Sequence, residues 1–207
     1  MLLLELFCGT KSISKVAELN GIECITLDNE PKHKPDICID ILQWDYKNSG
    51  LQPDIIWASP PCFTWSLACN GRHRKKISEG LIPKTPQGIE ANKQIMRLID
   101  ILIFFKPKYY FIENPQGLLR HFEPMKQFTR RTLQYGDYGH KCRKRTDIFT
   151  NCKEWEPREM TKKKFIKWSE FQKLSNNKYC FGNKYERIVN TAFIPEPLCK
   201  EIIQSIN

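Results

Sequence analysis

The sequence predicts an α/β protein built on a mostly parallel sheet, with an antiparallel hairpin at one edge and helices on both faces. Three observations predict it. Short apolar runs rich in β-branched or aromatic residues recur at Leu2–Phe7, Glu23–Leu27, Asp54–Ala58 and Tyr109–Glu113, with helix-like stretches between several of them. Strands that alternate with helices form parallel sheets. Each run closes on, or is followed at once by, a polar or reactive residue (Cys8, Asp28, Ser59, Glu113), and in open α/β sheets ligands bind beyond the carboxyl ends of the strands. Finally, Thr129–Tyr135 and Arg145–Thr150 flank the glycine-containing turn Gly136-Asp137-Tyr138-Gly139, as in an antiparallel hairpin.

Taken in order, the first run ends in Cys8-Gly9-Thr10, and Lys11–Asn20 then places Ile13, Val16, Ala17 and Leu19 on one side at helical spacing. Strand, tight turn and helix follow one another. A second strand ends at Asp28, a third short one at Asp40, and a fourth runs into Ser59-Pro60-Pro61-Cys62. Glu90–Phe105 reads as an amphipathic helix whose buried stripe is Ile95, Leu98, Ile99, Leu102 and Ile103. The next strand ends in Glu113-Asn114-Pro115, where proline halts regular structure just past a carboxylate. Asn151–Lys184, rich in Lys, Trp and Phe without a clear period, reads as irregular, and Pro195–Ile206 as a closing helix with proline in its first turn.

At 207 residues the chain fits one domain. A hydrophobic fraction of 41% and an aromatic fraction of 12% argue for a packed globule rather than disorder. Lys and Arg outnumber Asp and Glu by 33 to 23, so a polyanion such as nucleic acid is an expected partner. The nine cysteines include no C-x-x-C pair, which argues against zinc, and no metal is expected. The start, Met1-Leu2-Leu3-Leu4-Glu5, lacks the basic region of a signal peptide. Reduced thiols in an intracellular compartment, cytoplasm or nucleus, are expected. Arg97 and Asp100 interrupt the apolar stretch Ile95–Phe105, so no membrane role is expected.

Cys62 follows two prolines at a strand end, which restricts its backbone and directs it toward the crevice; the competing reading is an inert small hydrophobe. Glu113, at the next strand end, reads either as an acid beside that thiol or as a helix cap or surface ion-pair partner. The turn Phe7-Cys8-Gly9-Thr10 suits a nucleoside or an amino-acid tail at a helix N-terminus. Asp28 stands where a ribose-binding carboxylate stands in nucleotide-binding α/β folds. Asp40-Ile41 suits an adenine or is an exposed loop acid.

These pieces, in this order, resemble the DNA (cytosine-5) methyltransferase family. Leu6-Phe7-Cys8-Gly9 is similar to its first cofactor motif, Asp28 and Asp40-Ile41 to its second and third, Ser59-Pro60-Pro61-Cys62 to its nucleophile motif and Glu113-Asn114-Pro115 to its Glu-Asn-Val element. Arg143-Lys144-Arg145 resembles the basic motif that steadies the flipped base, and Glu186–Ala192 the C-terminal motif that completes the cofactor pocket. The resemblance implies a Rossmann-like class I fold dependent on S-adenosylmethionine. It implies transfer of a methyl group to C5 of a flipped cytosine in DNA, with Cys62 adding to C6, Glu113 engaging N3, Arg145 contacting the base and Arg143 meeting phosphate or orienting Glu113. The implied cofactor residues are Phe7, Gly9, Thr10, Asp28, Asn29, Asp40, Ile41, Ser59, Pro60, Asn190 and Thr191. The alternatives are a tRNA cytosine-5 methyltransferase and a non-catalytic homologue that binds S-adenosylmethionine or nucleic acid.

Several positions depart from the family pattern. Lys11-Ser12 stands where glycine is more usual, Phe63 where glutamine commonly follows the nucleophile, and Val189 where glycine usually precedes Asn190. Residues 1–150 would form the catalytic core, 151–184 a short insert in place of a target-recognition domain, and 185–207 a segment returning to the core. So short an insert implies poor sequence readout, or a partner protein that supplies it. Its Lys162, Lys163, Lys164 and Lys167 interleave with Phe165, Trp168 and Phe171, which suits phosphate contact and base stacking. Asn70–Lys76 resembles the mobile loop that closes on DNA in relatives.

Overall fold

A computed structural model describes residues 1–67, 71–78, 80–166 and 193–206. The first strand, β1 (Leu2–Leu6), is buried almost end to end because both its faces are covered, as is usual in parallel sheets. Around it a seven-stranded sheet is built from β2 (Glu23–Asp28), β3 (Ile37–Cys38), β4 (Ile55–Ala58), β7 (Tyr109–Pro115), β8 (Arg130–Gln134) and β9 (Arg145–Thr150). Its order is β3-β2-β1-β4-β7-β9-β8. The first five of these neighbours run parallel, while β9 is antiparallel to both β7 and β8. A Rossmann-like sheet with an antiparallel hairpin at one edge results.

Two apolar clusters cover the faces. Leu3, Trp57, Phe111 and Ile148 pack against α1 (Ser12–Leu19) and α3 (Glu196–Ile206), while Leu4, Ile56, Ile112 and Phe149 pack against α2 (Pro86–Phe105). The C-terminal helix thus closes the face on which the first helix lies.

The elements differ from the sequence reading where side chains cap or roll the helices. α2 begins at Pro86 rather than Glu90, because the Thr85 hydroxyl accepts from the Gly88 amide and proline suits the first turn. Ile103 is 64% exposed while Ile101 is fully buried; the two lie on opposite shoulders of the stripe, and the helix presents the Ile101 side to the sheet. Leu19 is 82% exposed. Ser12 and Ser14 are buried on α1 instead, the Ser12 hydroxyl paired with the Thr10 hydroxyl and the Ser14 hydroxyl donating to the Glu5 carboxylate. β3 ends at Cys38, and Asp40 opens the following turn, its carboxylate accepting from the Leu42 amide.

Two further strands, β5 (Arg74–Ile77) and β6 (Gly80–Pro83), pair antiparallel where a loop is expected from the sequence. From 151 to 166 the described chain carries only a bridge between Ile166 and Cys142. Residues 167–192 lie outside the described residues, and with them Lys167, Trp168, Phe171 and the whole Glu186–Ala192 motif, including Asn190 and Thr191. No helix among the described residues is long and apolar enough to cross a membrane.

Candidate active site

At the carboxyl ends of β1, β2, β4 and β7 lies a crevice of about 460 Å³. It is lined by Phe7, Gly9, Thr10, Asp28, Asn29, Ser59, Pro60, Cys62 and Glu113 from the residues singled out in the sequence, and also by Glu5, Ser12, Lys144 and Ile194. Asp40, Ile41, Arg143 and Arg145 are not part of its lining. Ile41 is buried in the α2-side cluster, and Asp40 is occupied as a turn former.

The turn after β1 is shaped by backbone conformation. Phe7, Gly9 and Lys11 all have positive φ (56°, 46° and 55°). Glycine adopts this region freely, whereas each of the other two costs on the order of 1 kcal/mol. Lys11 therefore holds, at a cost, a conformation that the family's more usual glycine would adopt freely. The strained turn is fixed by Asp28, whose carboxylate accepts from the Gly9 and Glu30 amides, both at 2.9 Å. A carboxylate pinned in this way at a strand end is oriented before any ligand arrives.

Cys62 is exposed and opens a turn in which its carbonyl accepts from the Trp65 and Ser66 amides. This turn is laced to the end of β7. The Asn114 side-chain amide donates to the Pro60 carbonyl at 3.0 Å, and the Leu118 amide to the Trp65 carbonyl at 2.7 Å. Gly117 permits the approach, because a Cβ there would lie 2.4 Å from the Trp65 carbonyl oxygen. The thiol and the Glu113 carboxyl are thus carried on two strand ends tied directly to each other.

Arg74 clamps the turn from the other side. It is 2% exposed and stacks on Trp65, 3.1 Å from the ring centroid. Its guanidinium donates to the Thr64 carbonyl and hydroxyl, to Asn92 and to the Gly88 carbonyl. Burial pushes its pKa down to about 10, so it is still charged at neutral pH. A buried cation is tolerated only when its donors are satisfied, and these bonds fasten the turn that begins at Cys62 to α2. Residues 71–76 therefore contribute a core anchor rather than only a surface loop.

Glu113 is 7% exposed, and its Oε1 accepts from the Tyr135 hydroxyl at 2.8 Å. Register explains why Lys144, and neither arginine, lines the crevice. Glu113 pairs with Ile148, so Ile148, Thr146 and, continuing the alternation, Lys144 share its face, while Arg145 points to the other. Arg143 and Arg145 are exposed. The alternation was readable from Arg145–Thr150 and would have picked out Lys144.

Glu5, at the crevice floor, is 2% exposed and accepts from the amide and hydroxyl of Ser14. A carboxyl therefore already occupies a donor at the N-terminus of α1, where the sequence suggested a ligand tail. Burial raises its pKa from 4.5 to about 7, against the lowering effect of the Ser14 bonds. Because the folded-state value is raised, the stabilisation is fully present below about pH 4.5 and is lost as pH rises through about 7. The predicted loss over that window is up to about 3 kcal/mol. Urea unfolding of wild type and Glu5→Gln at pH 5 and pH 8 checks this: the stability difference between the two proteins should move in favour of the variant at the higher pH.

Sheet order, strand-end crevice and glycine turn together define a Rossmann-like methyltransferase fold. Residues 1–149 match the family described as C-5 cytosine-specific DNA methylase, and the chain belongs to that family. It is 31% identical over 170 residues to a Frog virus 3 (isolate Goorha) protein named "Probable DNA (cytosine-5)-methyltransferase", covering 76% of this chain and 74% of that protein. Among solved structures it is similar to the Entamoeba histolytica methyltransferase EhMeth, with a TM-score of 0.55, 17% identity, and coverage of 80% of this chain and 57% of that one. For the S. pombe Dnmt2 methyltransferase the TM-score is 0.50 and the identity 13%, with coverage of 88% and 56%. The chain spans little more than half the length of these two structures.

Proposed function

We propose that this chain transfers a methyl group from S-adenosylmethionine to C5 of cytosine in DNA, with Cys62 as nucleophile and Glu113 as the acid at N3. The observation that carries the reading is that a thiol, a carboxyl and a preset nucleotide-type turn line one crevice. The donor set fits the cofactor: the Asp28 carboxylate for ribose hydroxyls, Phe7 for an adenine face, and Asn29, Ser59 and Pro60 along the cleft. When bound, S-adenosylmethionine supplies an electrophilic methyl group.

A cytosine inside a duplex is out of reach of such a crevice, so the base must leave the stack. The Cys62 thiolate forms a bond to C6 while Glu113 holds a proton at N3, and electron density moves to C5, which becomes the nucleophile. After C5 is methylated its proton leaves, the Cys62–C6 bond breaks and the thiolate is restored. Lys144 takes the place that the sequence resemblance gave to Arg145, with a cation facing the base near Glu113. Arg143 and Arg145, exposed, serve phosphate. Asn190 and Thr191 keep the cofactor role that the resemblance implies.

Residues 1–150 act as the core, 151–184 replace a target-recognition domain, and 185–207 return to it, with Ile194 lining the crevice. DNA is the substrate favoured by the family and by the name of the viral relative. Labelled S-adenosylmethionine with duplex DNA and, separately, with tRNA tests this. Incorporation into DNA well above tRNA is expected. Incorporation into tRNA alone would overturn the substrate, and none into either, despite measurable cofactor binding, would overturn the catalytic reading.

A further inference from the structure

Tyr135 belongs to none of the motifs above, yet it reaches the reacting acid. It is fully buried immediately after β8, two places from β7 in the sheet, so its contact with Glu113 must cross the intervening β9. At the crossing lies Thr146, fully buried and on the Glu113 face, which pairs with Pro115 on one side and Leu133 on the other. Its small side chain leaves room for a phenol to pass. Beyond it, Lys144 Nζ sits 4.6 Å from the centroid of the Tyr135 ring.

Resting on the reading of Glu113 as the acid, we infer that Tyr135 is its positioning residue, donating from the phenol hydroxyl to Oε1 and so directing the other carboxyl oxygen to the cytosine ring. Glu113 otherwise has freedom about its side-chain torsions, and a misplaced acid loses much of its catalytic effect. The hydroxyl remains a donor across the working range, because burial and then the adjacent Glu113 carboxyl push the phenol far above its ordinary value. The ring face meanwhile supports the Lys144 ammonium. One side chain thereby sets the acid and the neighbouring cation in register.

Tyr135→Phe removes the hydroxyl and keeps the ring, so the packing against Leu133 and Ile148 should survive. Two measurements on the full chain test the inference. The first is an isotope-edited infrared difference spectrum, wild type minus Tyr135→Phe, with labelled glutamate. A carboxyl band is expected that vanishes when the same difference is taken in a Glu113→Gln background. The second is methyl transfer, where kcat should fall about 10- to 100-fold, the range for a hydrogen bond to a charged group. Affinity for S-adenosylmethionine should stay within twofold.

Absence of the band, or a kcat equal to wild type, would overturn the inference. So would equal losses in kcat and cofactor affinity, which would mark a packing role. An inactive wild type that still shows the band would sink the methyl-transfer reading, and the positioning role with it, while leaving the pair as a structural contact.

Discussion

Cys62→Ala is expected to lower methyl transfer to cytosine by about 10⁴-fold or more, the usual consequence of deleting a covalent nucleophile. Water and the remaining groups cannot add to C6, and without that bond C5 has little nucleophilic character. Affinity for S-adenosylmethionine should change little, because the carboxylate of Asp28 and the turn it fixes do not depend on the thiol. Fold stability should also change little, since Cys62 is exposed and its turn is held by the backbone and by Arg74. Single-turnover rates with duplex DNA, set beside cofactor titration of the same preparations, measure both parts.

Glu113→Gln is expected to cost about 10²- to 10⁴-fold in the rate of adduct formation and methyl transfer, the range for a positioned general acid. Glutamine preserves the shape and still offers an oxygen to Tyr135, and its amide can donate a hydrogen bond to N3. What it cannot do is give up a proton as negative charge builds on the ring. The loss should appear in kcat with cofactor affinity retained, in contrast to a change at Asp28, the proposed ribose ligand in the same crevice. A Glu113→Gln protein with wild-type kcat would remove Glu113 from the chemistry.

Much of this arrangement could be read from the chain because it rests on local patterns. Apolar runs that end at Phe7 and Glu113 or lead into Asp28 and Ser59-Pro60-Pro61-Cys62 are strands whose ends gather at one edge of a parallel sheet, and the structure gathers them in one crevice. What escaped the reading depends on relations between distant segments. Tyr135 meets Glu113 only because β9 lies between their strands with a small residue at the crossing. Arg74 looked like one cation in a basic loop, and only its donors to Thr64, Gly88 and Asn92 make it a core anchor. Lys144 is legible through strand alternation along Arg145–Thr150, whereas the basic triplet Arg143-Lys144-Arg145 by itself does not say which cation faces the crevice. Leu19 and Ile103 were misplaced because helical spacing gives a stripe but not which of its shoulders meets the sheet.

The central claim is that Cys62 attacks a cytosine held in this crevice. It is tested most directly by incubating the chain with S-adenosylmethionine and duplex DNA containing 5-fluorocytosine, whose C5 substituent cannot leave as a proton, and looking for a denaturant-resistant protein–DNA adduct. The account predicts an adduct in wild type that maps by mass to the peptide bearing Cys62 and is missing in Cys62→Ala. An adduct at another residue, or none on DNA from a protein that binds the cofactor, would contradict it.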